Sequence, residues 1–210
     1  VTPKREYRSA LRARQAGETR ARIVEAAREL FAAHGYAPTT LRAIAARAEV
    51  SPETVQAHGP KAALLRAAIE VAGFGVEGLD NVTDQERAQL LFSLDRDQLP
   101  EAIAGLLLAI HAPGAGVYRA MVEASAGDPD VAEYYADIVA SIRRQWTAVW
   151  EVGLERGWVD ASRPVGQAVD AWCLIASHEA YIRLVDDYGW TALQYTDWIA
   201  ENFRTVLGQH

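Results

Sequence analysis

The sequence predicts an all-α protein in two parts: an N-terminal three-helix helix-turn-helix head and a larger C-terminal helical body. Three observations carry that reading. Apolar residues recur at three- and four-residue spacing through the 210 residues, while alternating β-branched runs bounded by turn residues are missing. Two short helical patterns, "TTLRAIAARAEV" and "SPETVQAH", follow a longer one and are separated by a turn of about three residues. Charge is divided unevenly. Residues 1–61 hold 11 Lys and Arg against 6 Glu, and the other 149 hold 10 against 22 acidic residues, giving +5 and −12. A basic head on an acidic body suits nucleic-acid contact through a separate unit, although a basic tail with no target would show the same imbalance.

The elements follow in chain order. Residues 1–17 read as a basic N-terminal arm that need not be ordered, and 18–65 as the head. In "TRARIVEAARELFAAHG", Ile23, Ala27, Leu30, Phe31 and His34 share one side, and Gly35 is the natural stop. The second helix is capped by Thr39 or Thr40 and buries Leu41, Ile44, Ala45 and Ala48. The third starts on Ser51 as N-cap with Pro52 at the first helical position, where a missing N–H costs nothing. With Val55 inward, a 100° step per residue turns Glu53 and Ala57 outward and leaves Thr54 and Gln56 on the flanks.

Residues 66–210 form the body. "PKAALLRAAIEVAGFG" leads out of the head as a fourth helix, and "DNVTDQERAQLLFSLDRDQLP" reads as a turn-rich connection. Then come "PEAIAGLLLAIHA", "GVYRAMVEASAG" and a long helix from Asp128 to about Arg156 with an acidic start. The chain closes with "RPVGQAVDAWCLIASHEAYIRLVDD" and "TALQYTDWIAENFRTVLG". Ala168, Val169, Ala171, Trp172, Cys173, Leu174, Ile175 and Ala176 leave the penultimate helix almost no polar face, so it must be covered on all sides. A four-helix bundle across a two-fold axis, joined by Trp198, Ile199, Phe203, Val206 and Leu207, would cover it; so would the interior of a monomer.

Several functions are excluded. A lone Cys173 forms no internal disulfide, the basic N-terminus has no signal-type apolar stretch, and the run around "AVDAWCLIA" is too short for a membrane span, so a soluble cytoplasmic protein is expected. There is no G-x-S-x-G, G-x-x-x-x-G-K or H-E-x-x-H, and the five histidines are dispersed. Cys173 and His178 lie five apart, off a shared helix face, and His178 and Glu179 point in different directions. No catalytic residue, metal site or cofactor is expected, and the chain does not read as an enzyme.

The stretch "TRARIVEAARELFAAHGYAPTTLRAIAARAEVSPETV" resembles the N-terminal domain of the TetR family of transcriptional regulators. About 45 residues carry the likeness, through A-x-x-L-F-x-x-x-G-Y and then T-x-x-x-I-A-x-x-A-x-V-S. The resemblance implies a homodimeric repressor that binds a palindromic operator in double-stranded DNA and is released by a small molecule. The departures are local. Glu49 stands where the family usually has a turn Gly, Gln56 and Gly59 replace aromatics, and the spacer before Lys61 is one residue shorter. Glu49 implies strain of about 1 kcal/mol or an altered turn.

Ser51, Pro52, Thr54, Val55, His58 and Lys61 keep the frame of the reading head. Gln56 can pair with adenine and Glu53 can accept from cytosine. Thr40, Lys61 and Arg42 suit phosphate, while His58 suits the helix interface better than DNA. Lys4, Arg5, Arg8, Arg12, Arg14, Arg20 and Arg22 could follow the backbone or a minor groove. The resemblance further implies an effector pocket walled by Phe92, His111, Tyr118, Met121, Tyr134, Tyr135, Trp146, Trp150 and Trp172, with Cys173 and His178 adding polarity. Such a wall predicts an apolar or aromatic effector, and the acidic body mildly favours cations over anions. The alternative is a TetR-like ligand-binding or interaction protein whose DNA binding is weak or lost.

Overall fold

The computed structural model describes residues 3–78, 91, 93–159 and 164–208, and among them every regular element is helical. Helix α1 spans Pro3–His34, α2 Leu41–Arg47, α3 Pro52–Ala57 and α4 Lys61–Phe74. After a 3₁₀ turn at Arg96–Gln98 come α5 (Leu99–Ser125), α6 (Pro129–Glu155), α7 (Val165–Ile175), α8 (His178–Tyr181) and α9 (Ala192–Val206). The arm expected over 1–17 is, from Pro3 onward, the opening of α1, a helix of 32 residues.

Capping chemistry sets the boundaries in the head. Thr40 Oγ1 accepts from the Ala43 N–H at 3.1 Å and starts α2, and Ser51 Oγ accepts from Thr54 at 3.2 Å and starts α3. Thr39 does not cap. It is 3 % exposed, and its hydroxyl donates to the Gly35 carbonyl at 2.8 Å, fastening the turn to the end of α1. Ile23, Ala27, Phe31, Ile44, Ala45, Ala48 and Val55 are buried as the periodicity requires. His34 departs from the expected stripe and faces solvent.

The body differs from the sequence reading in two places. The two helices expected across residues 100–127 are one, because α5 runs straight through Pro113. An internal proline forfeits one backbone hydrogen bond, about 3 kcal/mol in a free helix. Burial of Ile110, His111, Gly114, Ala115 and Val117 on either side of it holds the helix together. Conversely, the single helix expected after Arg163 breaks at Ala176. Ser177 Oγ accepts from the Ala180 N–H at 3.0 Å and starts α8, which runs on into a wide π-type turn over Ile182–Asp187. Local capping by a serine competes with helix continuation and here wins.

Helix α5 is the axis of the molecule, packing against α1, α4, α6 and α9. Its length and composition from Arg96 to Ser125 would also allow a membrane span, which the sequence reading did not anticipate. Its inward stripe of Ile103, Leu107, Val117 and Met121 is buried by neighbouring helices, as in a core helix. Two hydrophobic clusters result. One joins the head to Val117, Ala120 and Met121 of α5 and Val131 of α6. The other gathers Trp150, Trp172, Tyr195, Ile199 and Phe203. Head and body therefore share a core.

Candidate functional site

Helix α3 has the geometry of a reader with one buried anchor. Val55 is 0 % exposed, while Glu53, Gln56 and Ala57 face solvent. Thr54 is half-buried, and its hydroxyl is tied to Ser51 Oγ at 3.1 Å. The Gln56 side chain has no hydrogen-bond partner among the described residues, so its amide is available. The Glu53 carboxyl is held below the usual carboxylate range by backbone hydrogen bonding at the helix start and by the Ser51 hydroxyl, and it stays charged. Thr40 and Arg42 are exposed at the start of α2.

The two departures in the turns have structural counterparts. Glu49 has φ 56° and takes the left-handed conformation a glycine would adopt without strain. Gly59 has φ 123°, a region that L side chains rarely enter. An aromatic at this position would need a different backbone, so the shorter exit and the glycine belong together. His58 caps the end of α3, half-buried, and its carbonyl accepts from Arg20 at 2.7 Å. Arg20 also pairs with Glu77 at 2.6 Å, which moves it from the expected basic arm to a structural role. Arg14 pairs with Glu18 at 3.6 Å, and Arg22 is exposed.

Behind the head lies a cavity of about 910 Å³ bounded by α4, α5, α6, α7, α8 and α9. His111, Tyr118, Tyr134, Tyr135, Trp146, Trp150, Cys173 and His178 line it. Met121 and Trp172 do not. Met121 is packed into the cluster shared with the head, and Trp172 into the tryptophan cluster beside Phe203, at 4.9 Å between ring centroids. Phe92 lies outside the described residues.

The polar corner of the cavity is built from α5 and α8. His178 stacks on Tyr118 with centroids 4.4 Å apart and lies 4.2 Å from His111. His111 Nδ1 shares a hydrogen bond with Tyr195 Oη at 2.8 Å. The ring of His178, by contrast, has no hydrogen-bond partner among the described residues. His178 is half-buried at the cavity wall, and desolvation there pushes its pKa down to about 4. Burial, reinforced by the neighbouring imidazole, holds His111 well below the usual range. Both rings are neutral at pH 7.

Glu179 takes a role the sequence reading missed. Its Oε1 accepts from Tyr118 at 2.9 Å and from Tyr135 at 3.2 Å. The break before α8 places His178, Glu179 and Cys173 along the lining of one cavity, and among the described residues they form no cluster able to hold a metal. The signal was present as Ser177-His178-Glu179, a helix-start pattern inside an apparently continuous helix. Glu70 and Arg66 were also missed. Glu70, 6 % exposed, accepts from Arg66 Nε at 2.9 Å and from the Gly78 N–H at 2.7 Å. Burial raises the Cys173 pKa, with Asp170 adding to the effect and Arg143 opposing it, so the thiol is protonated.

Residues 23–68 match the family model described as bacterial regulatory proteins of the tetR family. The head of this chain is a TetR-family domain. Solved structures share this TetR-like fold along nearly the whole length. A TetR-family regulator from Syntrophomonas wolfei superposes with TM-score 0.73 at 15 % identity, covering 91 % of this chain and 96 % of its own. A regulator from Saccharomonospora viridis, solved in complex with choline, gives 0.68 at 18 %, covering 90 % and 96 %. NalD from Pseudomonas aeruginosa, the secondary repressor of the MexAB-OprM efflux pump, gives 0.65 at 17 %, covering 92 % and 98 %. At these identities the likeness speaks for the fold. Comparison with curated proteins gave no match. Ser51, Gln56 and Lys61 lie within the matched TetR head, and this chain is a DNA-binding regulator.

Proposed function

We propose that this regulator is a homodimeric, cytoplasmic repressor, without catalytic activity, released from a palindromic operator by a small apolar or aromatic effector. One observation carries the reading: α4 begins at Lys61 beside the recognition helix and, one to three turns on, presents Arg66, Ile69 and Glu70 to the cavity. A ligand that shifts α4 to fit itself would move the head, and its differential affinity for the two positions would set the release. The size and largely apolar wall of the cavity suit a drug-sized molecule. The Tyr118, Tyr135 and Glu179 corner also favours a second reading, an effector with a cationic head, in keeping with the choline of the Saccharomonospora viridis structure.

On the DNA side, Gln56, Glu53 and Thr54 face bases, Thr40, Arg42 and Lys61 face phosphate, and Ser51 and His58 keep the frame. Gln56→Ala should cost about 1–3 kcal/mol at the operator and little on random DNA. The deciding experiment is selection of genomic fragments by the purified protein at moderate salt. Enrichment of a palindrome with half-sites about one helical turn apart, or a small multiple, supports the reading. Salt-sensitive background alone would favour a ligand-binding protein whose DNA binding is weak or lost.

A further inference from the structure

The Tyr36 side chain joins three parts of the molecule. Its ring stacks on Phe31 of α1, with centroids 5.7 Å apart. The Lys61 ammonium lies 4.1 Å above that ring and donates to the Ala37 carbonyl at 3.4 Å. The Tyr36 hydroxyl donates to Asp128 Oδ2 at 2.7 Å. Asp128 is the N-cap of α6, and its other oxygen, Oδ1, accepts from the Asp130 and Val131 N–H groups at 3.1 and 3.4 Å. The carboxylate is thus divided, one oxygen holding the helix start and the other holding Tyr36.

Both partners of that hydrogen bond stay in the required form at neutral pH. The Tyr36 bond keeps the Asp128 carboxyl below the usual range, and burial with Asp128 beside it raises the Tyr36 phenol. Lys61, partly desolvated, lies within the field of Asp128. Six and seven residues beyond Asp128, or about 10 Å along the helix, Tyr134 and Tyr135 of the same α6 wall the cavity. A four-carbon lysine stem is otherwise free to sample many rotamers, and fixing it before binding removes an entropic cost.

We propose that Tyr36 and Asp128 are positioning residues for the phosphate contact of Lys61, making α6 a second lever between the cavity and the DNA beside α4. The proposal rests on the reading of Lys61 as a phosphate contact. It differs from simple support of the fold in one respect: its effect on DNA affinity passes through the Lys61 charge.

The test is a double-mutant cycle on the full chain. Binding of a fluorescent random-sequence duplex is followed by anisotropy across a salt series. Tyr36→Phe keeps the ring and drops the hydroxyl; Asp128→Ser keeps a capping oxygen and drops the carboxylate. Each should weaken binding about three- to tenfold and flatten the salt dependence by a fraction of the single-phosphate slope of about 0.9. In a Lys61→Ala background, neither should change affinity further. Equal losses with and without Lys61, no loss in either variant, or tighter binding would overturn the proposal. Thermal melts show whether the variants fold, and Tyr36→Phe alone completes a cycle if Asp128→Ser does not. Failure of the unsubstituted protein to bind any duplex at low salt would defeat the DNA-binding reading itself, an outcome seen before any variant is made.

Discussion

Glu49 keeps a left-handed backbone at φ 56° with an exposed side chain, so nothing in the fold compensates the steric cost of its Cβ. Glu49→Gly relieves that cost and raises the entropy of the unfolded chain; the first effect is the larger. The expected gain is about 0.5 kcal/mol, read as a rise in urea midpoint, and a fall would contradict the strain. The two cavity histidines set a pH dependence. Their folded pKa values lie below the ordinary 6.5, with His178 at about 4. Above pH 6.5 both states leave the rings neutral and stability is unaffected. As pH falls below it, the unfolded chain takes up protons that the folded chain refuses, and stability is lost progressively towards pH 4. His178 alone accounts for at most about 3 kcal/mol over that window. His178→Phe should flatten the acid limb of stability against pH, and an unchanged limb would remove His178 as its source.

At the scale of elements, the crossing of α1 and α5 depends on small residues. A Cβ on Gly116 would sit 2.9 Å from Ala32 Cβ and 3.1 Å from Ala32 Cα, closer than packed carbons allow. Gly116→Val would force the two helices apart and should cost about 2 kcal/mol in chemical denaturation. A neutral result would mean that α1 rides loosely on α5. The crossing shows how a helix boundary can mislead a sequence reading. Pro113 and Gly114 look like a stop, and periodicity cannot weigh them against the packing of α1, α4, α6 and α9 around the same helix. The opposite error occurs at Ser177, where an apolar pattern masks a cap. Propensity and pattern are local quantities, and in both places a non-local or competing local bond decided.

For the whole molecule, the prominent surface feature is the outward stripe of α7. Gln167, Asp170, Ala171 and Leu174 face solvent, with Leu174 at 73 %, and Leu193 of α9 is 69 % exposed. Helix α7 is thus not enclosed on all sides within one chain. Much of the seam expected on the last helix is already used: Ile199, Phe203 and Leu207 are buried in their own core. A two-fold bundle of the proposed kind would therefore draw on Leu174 and Leu193. Light scattering should give twice the 23.0 kDa chain mass at micromolar concentration, and Leu193→Glu should shift it towards one. A monomer in both cases would rule out the seam.

Residue spacing and short-range bonding were enough to specify the helical class, the cap at Ser51, a cap at Thr39 or Thr40, the buried Val55 and the outward Glu53 and Ala57, because these depend on periodicity and on hydrogen bonds within a few residues. The aromatic wall was an expectation from the TetR resemblance, since spacing alone cannot separate a pocket lining from plain core. Which of those side chains meet at the cavity, and which fill the core as Met121 and Trp172 do, came from the packing of whole helices. The same packing converted Arg20 from a candidate DNA contact into a strut, brought Glu179 onto Tyr118 and Tyr135, and tied Tyr36 to Asp128 across 92 residues of chain. The reason is physical: a helix pattern fixes which face turns inward, whereas the identity of the neighbour on that face is set by how distant helices pack.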